Sequence, residues 1–391
     1  MFKYFSKLMT KKFFIIAGEA SGDLLGSKLI AELKTQNSGA EFFGVGGKLM
    51  QEQGLVSLFP MEELSIMGFL EVVPHIPKLL ARIRQTADAV IAQKPDFVIT
   101  IDSPDFCFRV MNKLKNFHQT KKVHMIAPSV WAYREGRAEK ISKLYNLLLA
   151  ILPFEPPYFE KYGLKTVFIG HPIVENAPDL EQKKLANFSF RSKKNIALTD
   201  ELLCLMPGSR NGEVTRIFPE FIAAVNLLSQ KKSNLKVVIP LIEKTRALVL
   251  EMAKSLKVEY FLIEKDERND AFFATDFALA KSGTNTVELS LYQVPMLVAY
   301  KINFLTHFIV KRMVKIKFAN LVNLILNKEV IPEMLQDNCE GEKLFAVAEK
   351  LINDKNLAQK QIAESQAALR MMGLGFTQNP SQKAAQEILK I

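Results

Sequence analysis

Cysteine is scarce in this 391-residue chain: Cys107, Cys204 and Cys339 are far apart and odd in number. No C-x-x-C spacing occurs, which excludes a zinc-ribbon site and a disulfide framework and fits inert thiols in a reducing compartment. No apolar run approaches the roughly 18–20 residues that span a bilayer. The run Phe13–Ala17 is too short for the core of a signal peptide. A membrane-spanning role is therefore not expected, and contact with a membrane would be from its surface. Several catalytic signatures are also missing. There is no G-x-x-x-x-G-K-[ST] phosphate loop and no G-x-S-x-G elbow, which argues against a P-loop ATPase and a serine hydrolase. Gly44-Val45-Gly46-Gly47 begins like a dinucleotide fingerprint, but Leu49 stands where its last glycine belongs, so a tight turn is the better reading.

What is present is ordinary for a folded protein, with 48% hydrophobic and 24% charged residues. Lys and Arg total 52 against 41 Asp and Glu, a formal charge of +11. That surplus favours anionic partners such as phosphates, nucleic acid or an anionic membrane surface. No nucleic-acid module is recognisable, so no nucleic-acid partner is expected.

Short apolar runs alternate with helical patterns. Phe13–Ala17, Glu41–Val45, Asp96–Ile101, Lys122–Ala127, Leu147–Leu152 and Thr166–Ile169 read as buried strands, and Gly22–Lys34 as a helix. The alternation breaks across a polar, Lys-rich stretch and resumes at Leu202–Met206, Lys236–Ile239, Tyr260–Ile263, Phe277–Ala280 and Met296–Ala299. Continuous apolar strands between helices imply parallel sheets covered on both faces. The expected fold class is α/β: two facing Rossmann-like, doubly wound domains with C-terminal helices. The expected division is residues 1–176, a linker at 177–200, residues 201–370, and a helix at 371–391 with the option of crossing back to the first domain. Ligands in such sheets bind beyond the strands' carboxyl ends, at the switch point of strand order.

The chemistry-bearing residues follow strands. Gly18-Glu19-Ala20-Ser21-Gly22-Asp23 combines two glycines with capping residues at a helix start. A plain capped turn and a ligand loop remain equal readings of it. Asp102-Ser103-Pro104-Asp105 places a carboxylate at a strand end, where a general base would sit. Asp105 is close enough to the helix start to cap it, leaving Asp102 free. Ala127–Arg134 holds the only tryptophan, Trp131, and Arg134, Arg137, Lys140 and Lys143 form a basic stripe. A solvated face and a sugar- or phosphate-binding edge both fit. His171, after the last strand of the first domain, is a structural residue or a cleft candidate. In the second domain Pro207-Gly208-Ser209-Arg210 offers exposed N–H groups and a fixed cation, a competent anion site. Ser282, Gly283 and Thr284 open a helix suited to a phosphate, and Glu288, one turn on, suits a ribose diol. Together they suggest a nucleoside diphosphate. Leu289–Lys328 has no acidic residue and resembles an interfacial basic stretch, while Ile66–Leu80 is apolar with Pro74 and Pro77. A core helix and plain core packing are the competing readings.

Eight segments occur in order: GEASGD (18–23), MGFLEV (67–72), IDSPDF (101–106), APSVWAYR (127–134), LPFE (152–155), FIGHP (168–172), PGSR (207–210) and SGTNTVE (282–288). As an ordered set they resemble the lipid-A-disaccharide synthase family of Gram-negative bacteria, over nearly the whole chain. The resemblance implies an inverting glycosyltransferase of the GT-B architecture, needing no metal or other cofactor. It implies UDP-2,3-diacylglucosamine as donor and 2,3-diacylglucosamine 1-phosphate (lipid X) as acceptor, at the cytoplasmic face of the inner membrane. It further implies Asp102 as base, with Glu19 and Ser21 beside the substrates. Ser209, Arg210, Ser282, Gly283, Thr284, Glu288 and Asn323 would bind UDP. The sequence departs from the family pattern at Val322, where proline is usual, and at Ala127 and Tyr133. The alternative on the same architecture is an epimerase of sugar nucleotides or a transferase acting on a polyprenyl-linked sugar. A non-enzymatic nucleic-acid binder is the competitor from another class.

Overall fold

The computed structural model describes residues 10–64, 73–133, 135–303 and 316–391. The apolar segment at 66–72, the centre of the basic stretch at 304–315, and Arg134 lie outside them. The chain divides into two compact units, residues 1–175 with 375–391, and residues 176–374.

The first unit contains seven parallel strands: β1 Lys12–Ala17, β2 Glu41–Val45, β3 Val56–Ser57, β4 Phe97–Ile101, β5 Lys121–Met125, β6 Leu147–Ala150 and β7 Lys165–Phe168. Their spatial order is β3-β2-β1-β4-β5-β6-β7. Side chains alternate between two separate cores. Phe13, Ile15 and Ala17 enter one with the helix Ala20–Gln36. Phe14 and Ile16 enter the other with the helices Ile76–Gln93 and Pro104–Lys113. Both faces of β1 are thus dry, which is why its sequence is apolar without alternation. Gly44 shows how tightly β2 meets β1. A Cβ there would lie 1.8 Å from the Ile15 carbonyl oxygen, and its φ of +143° suits glycine. The helix Pro380–Leu389 packs on Ala20–Gln36 and supplies Ala384, Ala385 and Ile388 to the first core, so the chain's last helix belongs to this unit.

The second unit repeats the plan with six parallel strands: β8 Glu201–Met206, β9 Leu235–Pro240, β10 Tyr260–Ile263, β11 Phe277–Lys281, β12 Met296–Tyr300 and β13 Glu333–Leu335. Their order is β10-β9-β8-β11-β12-β13. Residues 177–200, expected as a linker, contain the helix Lys183–Lys193, which packs on the helix Arg268–Ala274. Its anchor is Arg191, almost fully buried, which donates to the Asp276 carboxylate at 2.8 Å and to the carbonyls of Ala197, Asp200 and Ala274. A helix held by a buried arginine has little apolar periodicity, so its polar sequence read as a connector. The edge strands β3 and β13, of 2 and 3 residues, are too short to give a period and were not expected either.

Strand order reverses between β1 and β4 in one sheet and between β8 and β11 in the other. The loops leaving these four strands are the places where a doubly wound sheet opens for a ligand. They are Gly18–Asp23, Asp102–Asp105, Pro207–Arg210 and Ser282–Thr284.

Candidate active site

In the first unit the two switch-point loops touch. A Cβ on Gly18 would fall 2.5 Å from the Ser103 hydroxyl, so any larger residue there would have to displace the Ser103 side chain. Asp102 and Ser103 both lie in the left-handed region, with φ of +51° and +43°. Two successive non-glycine residues in that region cost about 1–3 kcal/mol each, a strain that clusters at functional loops. The Asp102 N–H donates to the Met125 carbonyl at 3.1 Å, which ties the turn to β5. The Asp102 side chain is partly buried. Burial raises its carboxyl above the ordinary range, and the Ser103 N–H opposes this in part. Asp105 is different. Ser103 takes the cap position, Pro104 the first helical position, and the exposed Asp105 carboxylate pairs with Arg137 at 3.2 Å.

Glu19 caps the helix Ala20–Gln36 with extended backbone, and Ser21 is exposed in its first turn. Asp23 does not cap this helix, as its position suggested. Its buried carboxylate accepts from the N–H groups of Gly47, Leu49 and Met50 at 2.9–3.0 Å, capping the helix Lys48–Glu52. The turn at Gly44–Gly47 is thereby locked to the β1 loop. His171 is buried and its Nδ1 accepts from the Ile173 N–H. Burial lowers its pKa to about 4, so the ring stays neutral at physiological pH.

Glu155 was not anticipated as a special residue. It is almost fully buried and accepts from Trp131 Nε1 at 3.2 Å and from the Ile151 and Leu152 N–H groups at 3.1 and 2.9 Å. Burial raises its pKa to about 7, with those donors opposing. Trp131 is the only tryptophan, so its fluorescence should titrate with a midpoint near 7 and be flat in Glu155→Gln. A folded-state pKa above the unfolded value means the stability that Glu155 contributes is present below about 4.5 and lost as pH rises through 7. A pH-independent spectrum in the wild type would refute this.

In the second unit Gly208, at φ +131°, turns the chain out of β8 into Ser209 and Arg210, whose backbone caps the helix Asn211–Lys231. The Arg210 side chain is 66% exposed. Beneath it lies Glu213, whose carboxylate accepts from the Ser209 N–H at 3.1 Å and meets Lys281 Nζ at 3.1 Å. Glu213 therefore joins the loop after β8 to the end of β11. Its place three residues after Arg210 was the available sequence signal. Ser282 is buried, its hydroxyl donating to the Ala319 carbonyl at 2.8 Å, while Gly283 caps the helix Thr284–Leu291 and Thr284 is exposed at its start. Glu288 meets Arg268 at 2.5 Å. Burial raises the Glu288 pKa, and the Arg268 charge opposes that shift. Arg268 and Asn285 line a small depression with Pro207, Gly208 and Pro240 beyond β8 and β9.

Asn323 is fully buried. Its amide donates to the Ile331 carbonyl and the Glu333 carboxylate, and its oxygen accepts from the Val330 and Ile331 N–H groups. All four of its bonding positions hold the segment leading to β13. The structure gives it a bracing place with no polar atom left over for a ligand. The first unit thus gathers Glu19, Ser21 and Asp102 at one switch point. The second gathers Ser209, Arg210, Gly283 and Thr284 at the other, with Ser282 and Glu288 directly behind.

The model of the family described as Lipid-A-disaccharide synthetase matches residues 13–389. The chain belongs to the lipid-A-disaccharide synthase family. The curated lipid-A-disaccharide synthase of Rhodospirillum centenum is 42% identical over 381 residues, covering 97% of this chain and 94% of that one. That of Rickettsia canadensis is 41% identical over 382 residues, covering 97% of each. Among solved structures, the UDP-GlcNAc 2-epimerase from Neisseria meningitidis bound to UDP-GlcNAc superposes with a TM-score of 0.65 at 13% identity, covering 97% of this chain and 100% of that one. MurG of Acinetobacter baumannii superposes at 0.60 and 10% identity, covering 98% and 100%. At such identities these two attest the fold, the two-domain GT-B architecture. Family membership makes the chain a glycosyltransferase of lipid A biosynthesis, which sets aside the epimerase reading and the nucleic-acid binder. No described helix is long and apolar enough to cross a membrane.

Proposed function

We propose that this lipid-A-disaccharide synthase transfers 2,3-diacylglucosamine from UDP-2,3-diacylglucosamine to the 6-hydroxyl of 2,3-diacylglucosamine 1-phosphate, with inversion. The observation that carries the mechanism is Asp102: a partly buried carboxylate, held in a strained turn at a switch point, with its pKa raised towards that of a working base. The acceptor oxygen forms a bond to the anomeric carbon, the bond from that carbon to the diphosphate breaks, and the hydroxyl proton passes to Asp102. Charge develops on the departing β-phosphate. The exposed Arg210 guanidinium and the N–H groups at the start of Thr284–Leu291 are donors suited to stabilise it. Glu288, oriented by Arg268, is suited to accept from the uridine ribose. Glu19 and Ser21 present polar atoms beside Asp102's loop, and Asn323 contributes by bracing. Both substrates carry acyl chains, so the protein works on the cytoplasmic surface of the inner membrane.

The direct test is to incubate the protein with both substrates and EDTA and follow UDP release and product mass. Disaccharide with UDP in equal amounts is expected. UDP release with no disaccharide would sink the acceptor assignment. A second expectation concerns the brace under Arg210. Glu213→Gln should weaken UDP binding roughly tenfold, because a charge-assisted bond worth about 1.5–3 kcal/mol no longer holds the Ser209 loop against Lys281. Calorimetric titration with UDP measures this, and unchanged affinity would remove Glu213 from the site's support.

A further inference from the structure

In the second unit the loops leaving β8 and β11 meet over one ion pair. Phe277 and Leu279 enter the core shared with the helix Asn211–Lys231. The period of two puts Lys281, the last residue of β11, on that same face, just past the apolar run. Its ammonium lies 3.1 Å from the carboxylate of Glu213, in the first turn of that helix. Both turns press against the pair. A Cβ on Gly208 would come within 2.8 Å of the Glu213 side chain, and one on Gly283 would stand 3.5 Å from Lys281 Nζ. The Tyr300 ring backs the ammonium at 5.4 Å. Lys281 is thus held beside the residue that caps the helix Thr284–Leu291, with its side chain only 17% exposed.

A lysine paired with a carboxylate is commonly a brace and nothing more. The charge count here argues for more. Arg210 and Lys281 both pair with Glu213, at 3.8 and 3.1 Å, and neither pairs with another carboxylate among the described residues. Two cations share one anion, so the two loops carry one positive charge in excess. The proposed reaction creates one negative charge in the same place. When the bond from the anomeric carbon to the β-phosphate oxygen breaks, that oxygen keeps the electron pair and the diphosphate gains a charge. Arg210 meets it as a solvated side chain, whereas Lys281 is sheltered and already oriented, which strengthens its attraction and spares reorganisation. Glu213 occupies one of three ammonium donors, which leaves others for a phosphate oxygen. We propose that Lys281 is a further catalytic residue: its ammonium donates to the β-phosphate of the bound nucleoside diphosphate and stabilises the charge that develops as the diphosphate leaves. The proton stays on Lys281, and Glu213 orients it. The inference rests on the reading that the donor is a UDP-sugar.

Calorimetric titration with UDP and with UMP separates a phosphate contact from a brace. Lys281→Met should weaken UDP binding roughly tenfold, the worth of one charge-assisted bond, and leave UMP binding almost unchanged, since UMP lacks the β-phosphate. Its kcat for disaccharide formation should fall roughly a hundredfold, as on removal of one charge-stabilising donor, with a smaller change in KM for the donor substrate. Lys281→Arg keeps a cation and should recover part of both losses. The double variant Glu213→Gln, Lys281→Met removes the pair as a unit and strands no buried carboxylate, so it decides the matter even where the single variant folds poorly. Its kcat should lie well below that of Glu213→Gln alone. Three results would overturn the inference: an unchanged kcat in Lys281→Met, equal losses of UDP and UMP affinity, or a double variant no slower than Glu213→Gln. The last two would make Lys281 a brace for Glu213. Failure of wild type itself to bind UDP would instead sink the nucleotide reading, an outcome independent of the variants.

Discussion

Asp102→Asn is expected to lower kcat at least about 100-fold while leaving the fold intact, the range general-base catalysis supplies. Asparagine occupies the left-handed region as readily as aspartate, so the turn at φ +51° keeps its shape. On the proposed mechanism the variant removes the proton acceptor and little else. The pH dependence carries the same information. On the proposed mechanism Asp102 must be ionised to work, and burial has raised its pKa, so kcat/KM in the wild type should fall on acidification at a pH above the usual carboxylate range. Stability runs the other way. A carboxyl whose folded pKa lies above its unfolded value contributes stability at low pH that is lost as pH rises through the folded pKa. Asp102→Asn should therefore melt at the same temperature as wild type or higher at neutral pH. A variant that keeps wild-type kcat moves the base elsewhere, and one that loses both activity and stability shows Asp102 to be a structural carboxylate. Asp105→Asn breaks only an exposed pair with Arg137 and should change kcat less than about twofold.

Asp23→Ala should destabilise the first unit by about 3–5 kcal/mol, because one buried carboxylate serves three N–H groups. Its loss strips the helix Lys48–Glu52 of its cap and leaves the Gly47 and Met50 N–H groups without their acceptor. For a unit of this size that corresponds to a fall of roughly 10 °C in its melting transition. Asp23→Asn should recover part of the loss, since the amide oxygen still accepts. Activity should fall with the alanine change even below the melting transition, because the β1 loop carrying Glu19 and Ser21 is held from behind by the same carboxylate. Calorimetry of the three proteins decides it. A shift under about 1 kcal/mol for the alanine variant would mean water replaces the carboxylate at no cost.

Several features were legible in the chain because the signal is local. β1 reads as a strand since both its faces are dry, and the helix Ala20–Gln36 shows itself through Leu25, Leu29 and Leu33. The loops after β1, β4, β8 and β11 stand out because tight turns at strand ends demand glycine, proline and small polar residues. The ordered motifs carried the family. Other features have no local signal. Arg191 looks like one more basic residue in a polar stretch, and only the converging carbonyls of Ala197, Asp200 and Ala274 with Asp276 explain its burial. Glu155 and Trp131 are 24 residues apart and meet only because β5 and β6 are neighbours.

The sequence alone thus determined the two α/β halves, the family and the four loops at the switch points of the two sheets, because apolar periodicity and turn chemistry are properties of short segments. Tertiary structure decided which polar side chains are consumed by the fold's own hydrogen bonds and which are not. Asp23 and Asp102 are both acidic residues following strands. One is surrounded by three N–H groups and becomes a brace. The other is left partly buried in a strained turn with a raised pKa. Asn323 likewise gives up every hydrogen-bonding position to its own unit. Whether a polar group is satisfied depends on atoms brought in from distant parts of the chain, and that is settled only when the sheets have formed.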